Sequence, residues 1–140
     1  MELLPVDKAE TTTTARATVR LWRPARRVFV TQVTGYLDEQ GAKVIEALAR
    51  RVVAEEGGIS GFHDWEEMTD YESPARARLT EMARDLGKTN DVAHFLVRSK
   101  LVALGIQAAS VVMAGVRVHH TRAGFEAALR ECIQHRSRTA

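Results

Sequence analysis

The sequence is poor in the residues that mark secreted, membrane-spanning or disulfide-stabilised proteins. It has a single cysteine, Cys132, among 140 residues, so no disulfide can form within the chain, and a reducing compartment is indicated. No apolar run approaches the roughly 18–20 residues that are needed to cross a bilayer. The first ten residues also lack the layout of a signal peptide. These absences predict a cytoplasmic protein without a membrane span.

The net charge of the chain is small as well. The 20 lysines and arginines are nearly balanced by 18 aspartates and glutamates, which leaves a formal charge of +2. A nucleic-acid-binding protein needs a clustered basic face, so we expect no nucleic-acid partner. The one basic cluster, Arg20, Arg23, Arg26 and Arg27, surrounds a predicted turn at Pro24. We interpret this cluster as a solvated hairpin tip, and the alternative is a site for an anionic partner.

Sequence motifs for catalysis or metal binding are also lacking. The sequence has no Gly-rich phosphate loop and no nucleophile elbow, so we predict no catalytic residue. The acidic residues at 64–72 do not follow the spacing of a calcium loop. Cys132 and His135 lie three residues apart on a predicted helix without a second pair of ligands, and His119 and His120 are expected to point to opposite faces of a strand. We therefore predict no metal and no cofactor.

The composition itself is that of a globular domain. Hydrophobic residues make up 45% of the chain and charged residues 27%, as in ordinary soluble domains. A chain of this length is large enough to bury one core, and it contains no internal repeat, low-complexity segment or linker. We predict one domain over residues 1–140, with an ordered core over about 14–135.

The hydrophobic period changes along the chain. Residues 14–22 and 28–33 alternate with a period of two and predict an antiparallel hairpin. Residues 38–56 then show helical spacing, and Gly57 and Gly58 are expected to end this helix. The later pattern predicts strands at 59–65, 92–97 and 116–119, and helices at 74–86, 101–113 and 122–135.

This pattern predicts an α/β fold with the element order β-β-α-β-α-β-α-β-α. Strands that alternate with helices of this length form a mostly parallel sheet with helices packed on it, here after an N-terminal hairpin. In such sheets, functional groups gather where loops leave the carboxyl ends of the strands. The loop over residues 65–73 is one of these places, within the stretch HDWEEMTDYESPARARLTE from His63 to Glu81.

The element order and this acidic loop resemble the STAS domain of anti-sigma-factor antagonists (SpoIIAA-like proteins), over about residues 14–135. In that family the loop leads to an Asp-Ser-Ser-Gly motif at the start of the second helix, where a serine is phosphorylated by a partner kinase. Glu72 falls on the family's Asp and Ser73 on its phosphoacceptor serine, whereas Pro74 and Ala75 replace the next two residues. The resemblance implies a bacterial regulator of STAS type, with Ser73 as the candidate phosphoacceptor.

Ser73 also has a purely structural interpretation. Its hydroxyl could accept a hydrogen bond from an amide in the first turn of the helix and stabilise the protein by about 1 kcal/mol as an N-cap. Pro74 would then occupy the first helical position, where its missing N–H costs nothing. The same place suits a phosphate, because free amides and the helix dipole favour a dianion. The sequence leaves both interpretations open.

The function that we predict is a noncatalytic module that binds a protein partner, such as a kinase or an anti-sigma-like regulator. The predicted surface combines the loop with the exposed face of the next helix, including Arg78 and Glu81. Its candidate partner-binding residues are Trp65, Asp70, Tyr71, Glu72 and Arg76. The alternative is a small-molecule or lipid-binding module with a pocket between the sheet and the helices, which a cavity of roughly several hundred Å³ would favour. A homo-oligomer is compatible with the sequence, which does not fix the oligomeric state.

Overall fold

A seven-stranded sheet forms the centre of the described part of the chain. The computed structural model describes residues 9–87, 92–112 and 115–139. A short 3-10 turn covers Ser110–Val112. In chain order the elements are β1 (Glu10–Thr13), β2 (Ala17–Ala25), β3 (Val28–Leu37), α1 (Glu39–Glu56), β4 (Ser60–Trp65), β5 (Met68–Tyr71), α2 (Ser73–Asp85), β6 (Ala93–Val97), α3 (Lys100–Ala109), β7 (Val116–His119) and α4 (Arg122–Thr139).

The sheet is mostly parallel after its N-terminal hairpin. Its strands follow the order β1-β2-β3-β4-β6-β7, and β5 pairs with β3 as well. The pairings of β1 with β2 and of β2 with β3 are antiparallel, whereas β3, β4, β5, β6 and β7 pair in parallel. The strand β3 therefore has β2 on one side and, in succession, β4 and β5 on the other.

Each face of the sheet carries its own apolar core. On the front face, α1, α2 and α3 pack over β-strand residues such as Val33 and Phe95, and α1 contributes Ile45 and Val52. On the back face, α4 packs over the sheet. The buried residues of this back core are Val28, Val30, Phe62, Leu96, Phe125 and Leu129.

The longest front helix, α1, begins and ends with specific caps. Asp38 Oδ1 accepts a hydrogen bond from Gly41 N at 3.0 Å, which satisfies one of the free amides of the first turn. Burial alone would raise the pKa of the Asp38 carboxyl, but hydrogen bonds led by that from Gly41 lower the pKa overall. At the other end, Gly57 adopts a left-handed conformation with φ 80° and donates to the Val53 carbonyl oxygen. The predicted end of this helix at Gly57 is confirmed.

The tip of the hairpin differs from the prediction. Its turn lies at Arg26 and Arg27, and Pro24 belongs to β2 beside a register shift. The guanidinium of Arg23 lies 3.0 Å from Glu56 Oε1, and Arg27 Nε donates to the Glu56 carbonyl oxygen at 2.8 Å. The expectation of a solvated basic tip is therefore corrected, because two of its arginines bind the carboxyl end of α1.

The predicted α/β fold is confirmed, and the structure adds two strands to the expected order. One is β1, which lies before the expected start of the ordered core at about residue 14, and the other is β5, inside the predicted loop. The third helix ends at Ala109, earlier than predicted, and the expected end at Met113 lies outside the described residues. None of the described helices is long and apolar enough to cross a membrane.

Truncation of Leu48 tests the packing of α1 on the sheet. Leu48 is only 5% exposed, so Leu48→Ala should lower the free energy of unfolding by about 2–5 kcal/mol. Leu104 on α3 is 61% exposed, and Leu104→Ala is a matched control that should cost less than about 0.5 kcal/mol. Urea unfolding followed by circular dichroism measures both changes. A loss below about 1 kcal/mol at Leu48 would contradict this placement of α1.

Candidate functional site

The acidic stretch forms a fixed corner where β5 meets α2. Residues 68–76, named the β5–α2 corner below, are held against the end of β3 and the start of α1. The backbone N–H of Glu72 donates to the Leu37 carbonyl oxygen at 2.8 Å. Oε1 of Glu72 accepts a hydrogen bond from the backbone N–H of Glu39 at 3.1 Å. The corner is thus an ordered sheet edge rather than the open loop that the sequence predicted.

Ser73 is the first residue of α2, and its side chain is exposed. The N-cap position belongs to Glu72, which has an extended backbone and makes no capping hydrogen bond with its side chain. The interpretation of Ser73 as a helix cap is wrong, because the helix begins one residue earlier than expected and Pro74 is its second residue. Within the described part of the chain, the Ser73 hydroxyl makes no hydrogen bond.

Two aromatic residues of the predicted surface point inward. Trp65 is 6% exposed in the front core, and its Nε1 donates to Thr31 Oγ1 at 3.0 Å. This placement corrects the expectation of a surface-exposed Trp65, because the indole both fills the core and uses its only donor there. Tyr71 is half-buried and packs against the same core.

The exposed part of the corner is charged. Arg76 is exposed and forms no ion pair with any described residue. Asp70, in the strand part of the corner, is half-buried. Arg78 was expected on the same exposed face, but its guanidinium lies 3.2 Å from Glu39 and 2.9 Å from Glu46. Arg78 therefore joins α2 to α1, and Arg76 is the cation that the corner leaves available.

An apolar cavity of about 90 Å³ lies beneath the corner, between the front face of the sheet and the three front helices. Leu79 and Ala83 of α2 line it, as do Val102 and Ile106 of α3, and His63 of β4 contributes to its floor. The volume is far below the roughly several hundred Å³ of a typical pocket for a drug-sized ligand. Only Val102, Gly105 and Ile106 of α3 are buried, and the cavity has no room for a whole lipid.

His63 is the titratable group of this cavity floor. Its Nδ1 lies 2.8 Å from Thr31 Oγ1, and its ring packs edge-on against Phe29 and stacked against Phe95. Burial and, to a smaller extent, the neighbouring His94 together lower the pKa of His63 to about 3. The imidazole is therefore neutral at physiological pH.

The back face carries a polar cluster that sequence reasoning missed. Arg122, at the start of α4, places Nη2 3.0 Å from both Asp64 Oδ1 and Glu66 Oε1. Gln32 Nε2 donates to the other oxygen of Asp64 at 3.2 Å. The hydrogen bond to Asp64 is the main cause that raises the pKa of Arg122. The only available signal was a carboxylate inside an apolar strand, since Arg122 lies 58 residues away along the chain.

A histidine pair lies farther along the back face. His94 Nδ1 is 2.9 Å from His119 Nε2, and the His94 ring stacks on Phe62 at 4.4 Å between centroids. Burial lowers the pKa of His94 to about 4, and the neighbouring His119 contributes to this shift. His120 is exposed, and Cys132 is half-buried against the back core. Among the described residues, no three His, Cys, Asp or Glu side chains are grouped to hold a metal ion.

Comparison with known proteins finds similarity at the level of structure. No protein-family model and no curated protein matches the sequence. A DUF3478-family protein with a SpoIIAA-like fold from Shewanella loihica PV-4 superposes with a TM-score of 0.57 at 13% identity, covering 82% of this chain and 94% of that chain.

Two anti-sigma factor antagonists are similar in structure as well. SpoIIAA in its unphosphorylated form has a TM-score of 0.59 at 15% identity, covering 87% of this chain and 96% of that chain. An anti-sigma factor antagonist from Mycobacterium paratuberculosis has a TM-score of 0.54 at 19% identity, covering 91% and 99%. The predicted resemblance is confirmed for the fold: this chain has a SpoIIAA-like fold.

The neutral state of His63 predicts a loss of stability in mild acid. An unfolded histidine titrates near pH 6.5, whereas the pKa of native His63 is about 3, so the unfolded chain binds the extra proton as the pH falls. The stability that this group contributes is present above about pH 6.5 and is lost below it, by about 2 kcal/mol between pH 6.5 and 5. Urea unfolding at several pH values measures the slope.

Two variants separate His63 from other causes of acid sensitivity. His63→Phe should flatten the slope between pH 6.5 and 5, whatever its effect on stability at pH 7.5. His120→Gln replaces an exposed histidine and should leave the slope unchanged. An unaltered slope in His63→Phe would show that His63 is protonated in the native state over this range.

The first residues of α1 and α2 predict that substitutions of Asp38 and Ser73 differ in their effect on stability. Ser73→Ala should change the free energy of unfolding by less than about 0.5 kcal/mol, because Ser73 does not cap α2. Asp38→Ala should cost about 0.5–2 kcal/mol, since Asp38 does cap α1. Chemical unfolding of the two variants side by side measures the difference. A cost for Ser73→Ala equal to that for Asp38→Ala would restore the capping role of Ser73.

Proposed function

We propose that the chain is a noncatalytic cytoplasmic regulator that binds a protein partner at the β5–α2 corner and is switched by phosphorylation of Ser73. The observation that carries this proposal is the exposed hydroxyl of Ser73 in the first turn of α2. A kinase needs a serine side chain that it can reach, and a hydroxyl engaged as a helix cap would be harder to modify. The partner that we propose is a kinase or an anti-sigma-like regulator.

The charges around Ser73 would both attract and repel a phosphate on its hydroxyl. Phosphorylation adds about −1.5 to −2 charges at neutral pH. The amides and the dipole at the start of α2, together with the unpaired Arg76, attract this charge. The carboxylates of Asp70 and Glu72 repel it. A partner that docks on the unmodified corner would therefore meet a different charge and a rearranged Arg76 after modification.

The corner is suited to recognition because its backbone is held from several sides. Glu72 binds both β3 and the start of α1, and Ser99 Oγ donates to the Thr69 carbonyl oxygen at 3.2 Å. A partner that binds such a preformed surface loses little conformational entropy in ordering it. The corner can thus present the same surface before and after release of a partner.

Structural similarity supports a regulatory role. Two of the similar structures are anti-sigma factor antagonists, one of them in its unphosphorylated form. The proposed position of the switch follows the family resemblance, which aligns Ser73 with the phosphoacceptor serine, and the exposure of Ser73 and of Arg76 in this chain supports it.

A second candidate function is the binding of a small molecule in the cavity under α2. The observation that favours it is Nε2 of His63, which makes no hydrogen bond with a described residue and belongs to a side chain that lines the cavity. The volume of about 90 Å³ limits such a ligand to a few heavy atoms or one ring.

Mimicry of the modified serine tests the partner-binding proposal. With the native partner identified by affinity capture and mass spectrometry, Ser73→Asp should weaken its binding at least about tenfold, equivalent to about 1.4 kcal/mol. Ser73→Ala should bind like the wild type. Thr13→Asp adds the same charge at the exposed edge strand β1 and should leave the affinity unchanged.

Binding of the same partner to arginine variants tests the role of Arg76. Arg76→Gln should weaken binding, whereas Arg84→Gln, an exposed arginine on the same helix, should not. Equal binding by Ser73→Asp, Ser73→Ala and the wild type, with no phosphoserine on protein from native cells, would contradict the proposed switch.

A further inference from the structure

The cavity under α2 has the imidazole of His63 on its floor. His63 is only 6% exposed, and its Nδ1 is paired with Thr31. Its Nε2 makes no hydrogen bond with any described residue, and it is not one of the fully buried atoms that lack a partner. This nitrogen is therefore accessible to a molecule in the cavity.

The hydrogen bonds around Thr31 fix which imidazole nitrogen carries the proton. Trp65 Nε1 is only a donor, so Thr31 Oγ1 accepts from it at 3.0 Å. The hydroxyl then has its own hydrogen to donate, and Nδ1 of His63, at 2.8 Å, is the acceptor in reach. Because a neutral imidazole carries one proton, that proton resides on Nε2. The unpaired atom is therefore an N–H donor.

Gly61 provides the space at this donor. A Cβ at position 61 would lie 2.8 Å from His63 Nε2 and 2.8 Å from a ring carbon of Phe29. Any larger residue would press on the imidazole edge. The neighbouring rings of Phe29 and Phe95 offer π surfaces but no oxygen or nitrogen acceptor.

The size of the cavity limits what could accept this hydrogen bond. A single water needs about 10–15 Å³ and two to four polar partners, whereas an apolar cavity of about 150 Å³ holds a benzene-sized molecule. The volume of about 90 Å³ exceeds the first requirement several-fold and approaches the second. Its lining is mostly apolar, apart from side chains such as Arg76, Tyr71 and Thr80. A donor on the floor of such a cavity suits a compact molecule with one acceptor.

We propose that this cavity binds a small, mostly apolar carbonyl compound whose oxygen accepts the hydrogen bond from Nε2 of His63. The proposal rests on the second candidate function and narrows it to a ligand class of about one ring in size. The apolar body would lie against the helices, near Ala83 of α2 and Ile106 of α3. Binding requires no charge in the cavity, which agrees with a neutral His63.

A pair of ring-sized probes tests the hydrogen bond without any variant. In nuclear magnetic resonance titrations of the full chain, cyclohexanone should shift the His63 side-chain nitrogen and the methyl groups of Val102 and Ile106 saturably. Cyclohexane, which has the same ring without an acceptor, should bind at least tenfold more weakly. Equal affinities would overturn the carbonyl assignment while leaving a small-molecule cavity, and saturable shifts with neither probe would overturn both.

Two substitutions locate the site. Ala83→Leu fills the cavity and should abolish the shifts, whereas Ala77→Leu makes the same change on the exposed side of α2 and should preserve them. His63→Phe keeps the ring but removes the donor, so the two probes should bind it equally. Retained preference for cyclohexanone in His63→Phe would overturn the proposal. These readouts do not involve Ser73, so their failure is distinct from failure of partner binding.

Discussion

The pairing of β3 with two successive strands is the constraint on which the rest of the structure depends. The first half of β3 pairs with β4 and its second half with β5. Gly35 lies at the change, with φ 96°, and its N–H donates to the Glu67 carbonyl oxygen at 3.1 Å. A Cβ there would lie 2.7 Å from the Arg16 carbonyl oxygen, so another residue would displace β2. Because β5 is held against β3, the acidic stretch becomes a sheet edge and Ser73 begins a helix at a defined place.

The strand β4 shows how a fully buried strand accommodates two titratable side chains. All six of its residues are buried, and alternation sends His63 to the front face and Asp64 to the back. The neighbouring strand provides a partner directly opposite each one: Thr31 pairs with His63 and Gln32 with Asp64. On the front, burial keeps His63 neutral beside the hydroxyl of Thr31, whereas on the back Arg122 binds the Asp64 carboxyl group. A one-residue slip of β4 would break both contacts, and these polar pairs therefore help to fix the register of the sheet.

Much of the fold could be predicted from the sequence, because its signals are local. Helical spacing at 38–56 and the glycine after it marked α1 correctly. The strand β5 could not be predicted, since only Met68 of its four residues is fully buried and its pairing partner lies far along the chain. The start of α2 was misplaced by one residue, and that single shift decided whether Ser73 caps the helix. The contact of Arg122 with Asp64 has no local signal at all.

The helix α2 connects the corner with the cavity. Its inward side lines the cavity, its first turn carries Ser73, and only two of its residues, both alanines, are fully buried. By contrast, α1 buries six residues. Much of the attachment of α2 consists of ion pairs to α1, such as Arg50 with Asp85 at 2.8 Å, which are partly exposed and contribute about 0–1 kcal/mol each. Elements that respond to small free energies come from the less stable parts of a fold. A phosphate at the start of α2 and a ligand beneath it would thus act on one weakly attached helix, while the sheet that fixes the corner stays unchanged.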